Sequence, residues 1–344
     1  MTLFTSGILI VSIILIIFSL TLMIMMITPS SISIVEKNGI TIKNNLYGAY
    51  ASPSPHTTKS DIVDFNFASA GDWGCTSDTI DTVKNIVDKD PELVLALGDL
   101  SYNSTAKCWL DIIEPIADKT KIVIGNHEVE STKKLKDYME FFGLEKQYYS
   151  FNYKNVHFTA ISTELPYEND SEQYDFVNND LSKVSLDPNI DWIVVFYHSL
   201  AYTSPADTGK GNSAEKELRS TYHHLFEKYG VDLVLQAHNH HYQRSYPILY
   251  NNDKPKEPIA TDNSYNNNKF HNPEGQIFAT VGTGGASIYP FTGQAPYIVT
   301  QYAGFGFLNV EVTNNNGTTL SGTFYANDNS DGRTTIKDQF TITK

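Results

Sequence analysis

The chain has 344 residues, 41% of them apolar and 19% charged, with a formal net charge of -14. That is enough for one large domain or two ordinary ones, and the composition excludes a disordered or collagen-like protein. An excess of acid also argues against a nucleic-acid partner, because such binding rests on Lys and Arg neutralising phosphates.

The charge is unevenly placed, since residues 1–35 contain no Asp, Glu, Lys or Arg. From Gly7 to Ile27 only Ser12, Ser19 and Thr21 interrupt a run of 21 otherwise apolar residues. As a helix this run would be about 31 Å long, close to the roughly 30 Å of bilayer hydrocarbon. A secretory h-region is about 7 to 15 residues, so length favours an uncleaved anchor, while Pro29, Ser30, Ser31 and Ser33 leave a cleavage site open. Residues 1–33 are read as a signal anchor or signal peptide, and the polar stretch 34–60, with Pro53 and Pro55, as a tether. Asn103, Asn169 and Asn316 begin N-x-S/T sequons, compatible with a glycosylated lumenal or extracellular domain. The only nearby basic residues, Lys37 and Lys43, follow the apolar run, but large domains translocate largely regardless of flanking charge. The expected location is the secretory pathway, membrane-anchored if the leader is kept and secreted or lysosomal if it is cleaved.

The remainder, 61–344, is expected to be one α/β domain. A strand at Phe67–Ala70 precedes a helix near Ser77–Val87, where Ile80, Val83 and Val87 share a face. A strand at Leu93–Leu97 is followed by a helix presenting Trp109, Ile112, Ile113 and Ile116, then by a strand at Lys121–Ile124 and a helix over 131–142. Alternation in Tyr149–Phe151 and Val156–Ser162 predicts paired strands. Two further βα steps follow at Trp192–Tyr197 and Val231–Gln236, around a helix over 213–229 that Gly230 terminates. Strands near Gln276–Val281, Gly304–Val312, Thr318–Tyr325 and Gln339–Thr343 close the chain, with a turn at Asn316-Gly317. The predicted fold is a two-sheet β-sandwich flanked by helices, preceded by the N-terminal hydrophobic helix.

Cys75 and Cys108 are the only cysteines. Joined in an oxidising compartment, they would close a 33-residue loop worth about 3.7 kcal/mol of chain entropy; the alternative is two free buried thiols. A thiolate zinc site or thioredoxin-like motif is excluded, since no Cys-x-x-Cys exists.

Five segments share one context, a short apolar strand running into a small residue and then a metal-competent side chain. They are Gly71-Asp72-Trp73-Gly74, Gly98-Asp99-Leu100-Ser101-Tyr102, Gly125-Asn126-His127-Glu128, Tyr197-His198-Ser199 and Ala237-His238-Asn239-His240. Loops beyond the carboxyl ends of strands line the ligand crevice of open α/β sheets, so all five are expected on one rim.

As a set these motifs resemble the calcineurin-like metallophosphoesterases, and within them the purple acid phosphatases. The superfamily pattern is Asp-x-His, Gly-Asp, Gly-Asn-His-Asp/Glu, a later His and Gly-His-x-His. Position 74 is Gly rather than that first His, and Tyr102, three residues after Asp99, stands in its place, as in the purple acid phosphatases. The resemblance implies one metal held by Asp72, Asp99, Tyr102 and His240, and a second held by Asp99, Asn126, His198 and His238. Two carboxylates, a phenolate and an imidazole suit Fe(III), while the second set suits Zn(II), Fe(II) or Mn(II). The implied activity is hydrolysis of small phosphate monoesters at acidic pH by metal-bound hydroxide, with His127 assisting the leaving group. The alternatives are a phosphodiesterase on the same scaffold, or a non-catalytic surface domain that retains the fold. The sign of a non-catalytic domain would be lost ligands, and all seven ligand positions are filled.

Two features depart from the family pattern: Ala237 replaces its usual Gly, and Asp207 and Thr208 stand where many relatives carry His. Tyr242 and Arg244 also match the family. Among the other histidines, His223 and His224 are expected on a helix as surface or packing residues and His157 as structural. His241 is expected to face away from the ligand pair. Glu128 either orients His127 or is a solvated loop acid, and Gly282-Thr283-Gly284-Gly285 either borders the pocket or is simply a turn.

Overall fold

The computed structural model describes residues 64–208, 215–262, 268–314, 318–328 and 332–344. The apolar leader, the tether and the Asn316-Gly317 turn lie outside the described residues. Within them, no helix is long and apolar enough to cross a membrane.

Two sheets form the body. One has seven strands in the order β10-β15-β14-β13-β1-β2-β3, with β1 Phe65–Ala70, β2 Leu93–Ala96, β3 Thr120–Ile122, β10 Lys269–His271, β13 Gly306–Thr313, β14 Thr319–Asp328 and β15 Arg333–Thr343. The other has eight strands, in the order β12-β8-β11-β7-β6-β5-β4 with the short β9 (Ile259–Ala260) paired to β8. Its members are β4 Tyr149–Tyr153, β5 Val156–Ala160, β6 Trp192–Phe196, β7 Leu233–Gln236, β8 Tyr242–Leu249, β11 Gln276–Val281 and β12 Ile298–Tyr302. Strands β1, β2 and β3 run parallel, as do β5, β6, β7 and β11.

The second sheet is buried on both faces, and the period of two along its strands sorts side chains into two cores. Phe158, Val194, Phe196, Leu233, Leu235, Ile277 and Ala279 enter the core shared with the first sheet. There Phe67 meets Phe158 edge-on at 5.2 Å and Tyr242 stacks on Phe324 at 4.0 Å. The alternate residues Ile193, Val195, Val234 and Phe278 pack outward with Val177, Leu181, Tyr222 and Phe226 of the covering helices. His157 lies on this outer face, its ring nitrogens 2.5 Å from Asn152 Oδ1 and 2.9 Å from Asp180 Oδ2, a structural role as expected.

Local differences from the predicted elements have physical causes. The helix Ser77–Lys89 buries Thr79, Thr82, Val83 and Ile86, whereas Ile80 and Val87 are 55% and 40% exposed. The expected apolar stripe is displaced because polar residues anchor the helix: Asn85 donates to Asn327 Oδ1 at 2.8 Å and Asn327 to Thr82 Oγ1 at 2.9 Å. The helix carrying Trp109 ends at Ile112 and continues as a 3-10 helix, Glu114–Lys119, because Pro115 has no N–H to donate. A four-residue helix, Asn126–Val129, then precedes the helix Thr132–Phe141. The predicted 213–229 helix runs from Lys216 to Tyr229 through a π-turn at Arg219–His223, and Gly230 ends it at φ 68°. The helix Glu172–Val184 and strands β8 and β12 are additions to the predicted elements.

Candidate metal centre

The strand ends of both sheets meet at one rim and are stitched there by backbone hydrogen bonds. Gly71 N donates to Val281 O (2.8 Å), Asp72 N to Gly98 O (3.1 Å), Trp73 N to Asp99 O (2.8 Å) and Ala237 N to His198 O (2.9 Å). Asp72 follows β1, Asp99 and Tyr102 follow β2, Asn126 follows β3, His198 follows β6, and His238 and His240 follow β7. Asp72, Asp99 and His238 have φ of 58°, 48° and 66°, the left-handed region that costs non-glycine residues of order 1–3 kcal/mol each. Such strain persists where the surroundings over-determine it. Ala237 is not in this region; the left-handed residue is its neighbour His238, so the Ala-for-Gly departure carries no conformational cost.

The seven expected donors form two groups that share one atom. In the first, Tyr102 Oη lies 3.0 Å from Asp72 Oδ1, 3.3 Å from Asp99 Oδ2 and 2.8 Å from His240 Nε2, which is itself 3.4 Å from Asp72 Oδ1. In the second, His198 Nε2 lies 3.3 Å from Asp99 Oδ2, 3.2 Å from Asn126 Oδ1 and 3.1 Å from His238 Nδ1. Asp99 Oδ2 belongs to both. Carbonyl oxygens can only accept, so the contacts of His198 Nδ1 with Leu97 O (2.9 Å) and His240 Nδ1 with Ser287 O (2.6 Å) put the proton on Nδ1 and turn Nε2 inward. Asp72 Oδ2 is buried and has no hydrogen-bond partner. A convergence of oxygen and nitrogen lone pairs around a buried, orphaned carboxylate oxygen suits a cation.

A match to the family described as calcineurin-like phosphoesterase covers residues 60–242, just over half of the chain. The chain belongs to that family. It is 31% identical over 239 residues to purple acid phosphatase 21 of Arabidopsis thaliana, covering 64% of this chain and 49% of that protein. Purple acid phosphatase 22 of the same plant is 31% identical over 213 residues, covering 56% and 48%. The purple acid phosphatase from yellow lupin (Lupinus luteus) seeds superposes with a TM-score of 0.70 at 25% identity, over 82% of this chain and 54% of that one. The chain thus spans about half the length of the curated relatives it matches.

The electrostatics of this calcineurin-like centre follow from burial. Burial alone would raise Asp99, but the His198 imidazolium beside it outweighs that and holds the carboxyl well below its ordinary range. Burial opposes the charge on His198 too, yet Asp99 pushes it up to about 10. Burial and then Asp72 push the Tyr102 phenol well above 10, while burial and then His198 push His238 down to about 4.

Among the cluster's neighbours, Glu128 departs from both of its expected readings. Glu128 neither orients His127 nor meets solvent: it is fully buried and accepts from Leu100 N and Gly125 N, both at 2.9 Å. Burial and then Asp99 push its carboxyl up to about 8. His127 pairs instead through Nδ1 with Glu130 Oε1 at 2.9 Å, and its Nε2 is 3.9 Å from Asp99 Oδ2. His241 lies outside the cluster, buried against Phe291 at 4.1 Å. The glycine turn does border the site, because a Cβ at Gly282 would come within 2.1 Å of Asn239 O and 2.6 Å of Asp72 Oδ2. Beyond it, Tyr289 stacks on the His240 ring at 4.0 Å and 11°, a contact no local pattern signals. Tyr242 and Arg244 belong to the sandwich interior: Tyr242 Oη donates to Asp338 Oδ2 (2.7 Å), and Arg244 bonds both Asp338 oxygens (2.6 and 3.0 Å). Cys75 and Cys108 are joined as a disulfide.

Proposed function

We propose that the protein is a binuclear-metal acid phosphatase of the purple acid phosphatase type, hydrolysing small phosphate monoesters. The observation that carries this reading is the pair of four-donor groups sharing Asp99 Oδ2. The donor chemistry fits the group the family implies: Asp72, Asp99, Tyr102 and His240 would hold Fe(III), and Asp99, Asn126, His198 and His238 a divalent Zn, Fe or Mn ion. Such a pair supplies Lewis-acid neutralisation of phosphate charge and lowers the pKa of water enough for attack at acidic pH.

The chain's own residues do the rest. Asp72 and Asp99 bring the negative charge that retains cations in a buried site, and Asn126 adds a neutral oxygen. His127 is fixed through Nδ1 by Glu130, which leaves Nε2 turned toward the cluster, where it delivers a proton to the departing alkoxide. The disulfide supports an oxidising compartment, in keeping with the secretory pathway.

The test is metal analysis and a visible spectrum of the full chain, with turnover of p-nitrophenyl phosphate and its bis ester. The expected result is iron plus a divalent metal, a phenolate-to-iron band that Tyr102→Phe abolishes, and faster monoester hydrolysis. Full iron occupancy without colour would contradict the Tyr102 assignment, and faster cleavage of the bis ester would make the protein a phosphodiesterase.

A further inference from the structure

Lysines on the helix Thr132–Phe141 mostly pair at its surface, as Lys133 does with Asp137 at 2.7 Å. Lys134 does the opposite. It is 2% exposed, and its ammonium donates to Ser101 O and to Asn103 O, the latter at 3.0 Å. Those carbonyls belong to the residues immediately before and after Tyr102.

We infer that Lys134 is a positioning residue for Tyr102, a clamp that aims the phenol at Asp72 and His240. The inference rests on the reading of Tyr102 as a metal ligand and adds what holds that ligand in place. Tyr102 comes from an irregular loop, so no helix or sheet ladder fixes its backbone. Instead, groups from the segment after β3 hold the loop: Glu128 accepts from Leu100 N at 2.9 Å, and Lys134 donates on both sides of Tyr102. Ser101 adds its hydroxyl, 3.4 Å from Cys108 Sγ. No carboxylate forms an ion pair with Lys134 among the described residues; Glu128 acts on it only through its field, so the two carbonyls are the hydrogen-bond partners of its buried ammonium. An ammonium that gave them up without leaving the interior would be unsolvated, and the clamp is therefore stiff. The other metal group draws on Asn126, His198 and His238, which the clamp does not touch, and shares only Asp99 with the first.

The experiment is Lys134→Met, an apolar side chain of similar length, in the full chain. In metal-free protein, amides of residues 99–105 are expected to exchange hydrogen about tenfold faster than in the wild type, with β6 unchanged, as loss of charge-assisted hydrogen bonds implies. In loaded protein, iron is expected to dissociate about tenfold faster and the phenolate band to shift, while the divalent metal is retained within about twofold. Unchanged exchange over 99–105, or loss of both metals in equal measure, would overturn the clamp. If Lys134→Met does not fold, Lys134→Gln, which shortens the donor, is read by the same two measurements. A wild-type protein that binds no iron would defeat the proposed function, and the metal-free exchange would still decide the clamp.

Discussion

In the metal-free centre, Asp99 and His198 form a buried ion pair in which the proton on His198 occupies the place of a cation. With His198 raised to about 10 and Tyr102 higher still, both are protonated at pH 8, whereas His238, lowered to about 4, is neutral. Metal uptake at both groups, as proposed, would displace the two protons, so apparent affinity is expected to rise with pH. Loading the metal-free protein at pH 8 is expected to release at least two protons per chain in a pH-stat; no release would refute the ligand roles of His198 and Tyr102. At His127 the expectation is kinetic. His127→Ala should keep both metals and lose about 10²- to 10⁴-fold in kcat on an alkyl phosphate, with a smaller loss on p-nitrophenyl phosphate, whose leaving group needs less protonation. Equal turnover on the alkyl ester would remove His127 from the proton-transfer role.

At the scale of elements, the disulfide links the loop after β1, which carries Asp72, to the segment after β2, which carries Asp99 and Tyr102. Replacing both cysteines by Ala is expected to cost about 3.7 kcal/mol in denaturant unfolding, the loop-closure value for 33 residues. An unchanged midpoint would mean that the unfolded chain gains no freedom. Most strands and helices were legible in the sequence because period and length are local properties. The face of Ser77–Lys89 was not: Thr82 and Asn85 are buried by a partner, Asn327, more than 240 residues away. The helix Glu172–Val184 carried a readable signal in Val177, Leu181 and Val184, spaced four and three apart behind the cap Ser171, but within a largely polar stretch.

For the whole molecule, the two sheets are tied through a buried charge, Arg244 on β8 of one sheet gripping Asp338 on β15 of the other. A second buried group sets a limit at low pH. His223 Nδ1 is 2.7 Å from Tyr202 Oη, and Nε2 is 3.0 Å from Gln276 Oε1 and 3.8 Å from Glu227 Oε1. Burial lowers it from 6.5 to about 3, so the unfolded chain binds the proton more strongly. Its contribution to stability is therefore complete above pH 6.5 and lost as pH falls toward 3. Between pH 7 and 5 the loss is about 2 kcal/mol, and His223→Gln should remove that part of the slope in urea melts at the two values. Parallel slopes for the two proteins would contradict it. The fold thus carries a neutral histidine in its outer core, at some cost to stability at low pH.

The order and chemistry of the candidate ligands were determined by the sequence alone, because each lies two to six residues beyond a short apolar strand and that spacing is local. Fold class followed from the same local periods, and the family from the motifs. Only the tertiary structure decided that seven donors from five strand ends share Asp99 Oδ2, that Cys75 meets Cys108, and that Glu128 and Lys134 grip the backbone around Asp99 and Tyr102. Each depends on a contact between residues distant in the chain. Hydrophobic period reports which way a side chain faces; what it meets there, and whether a buried charge is satisfied, is settled by the packing of one element on another.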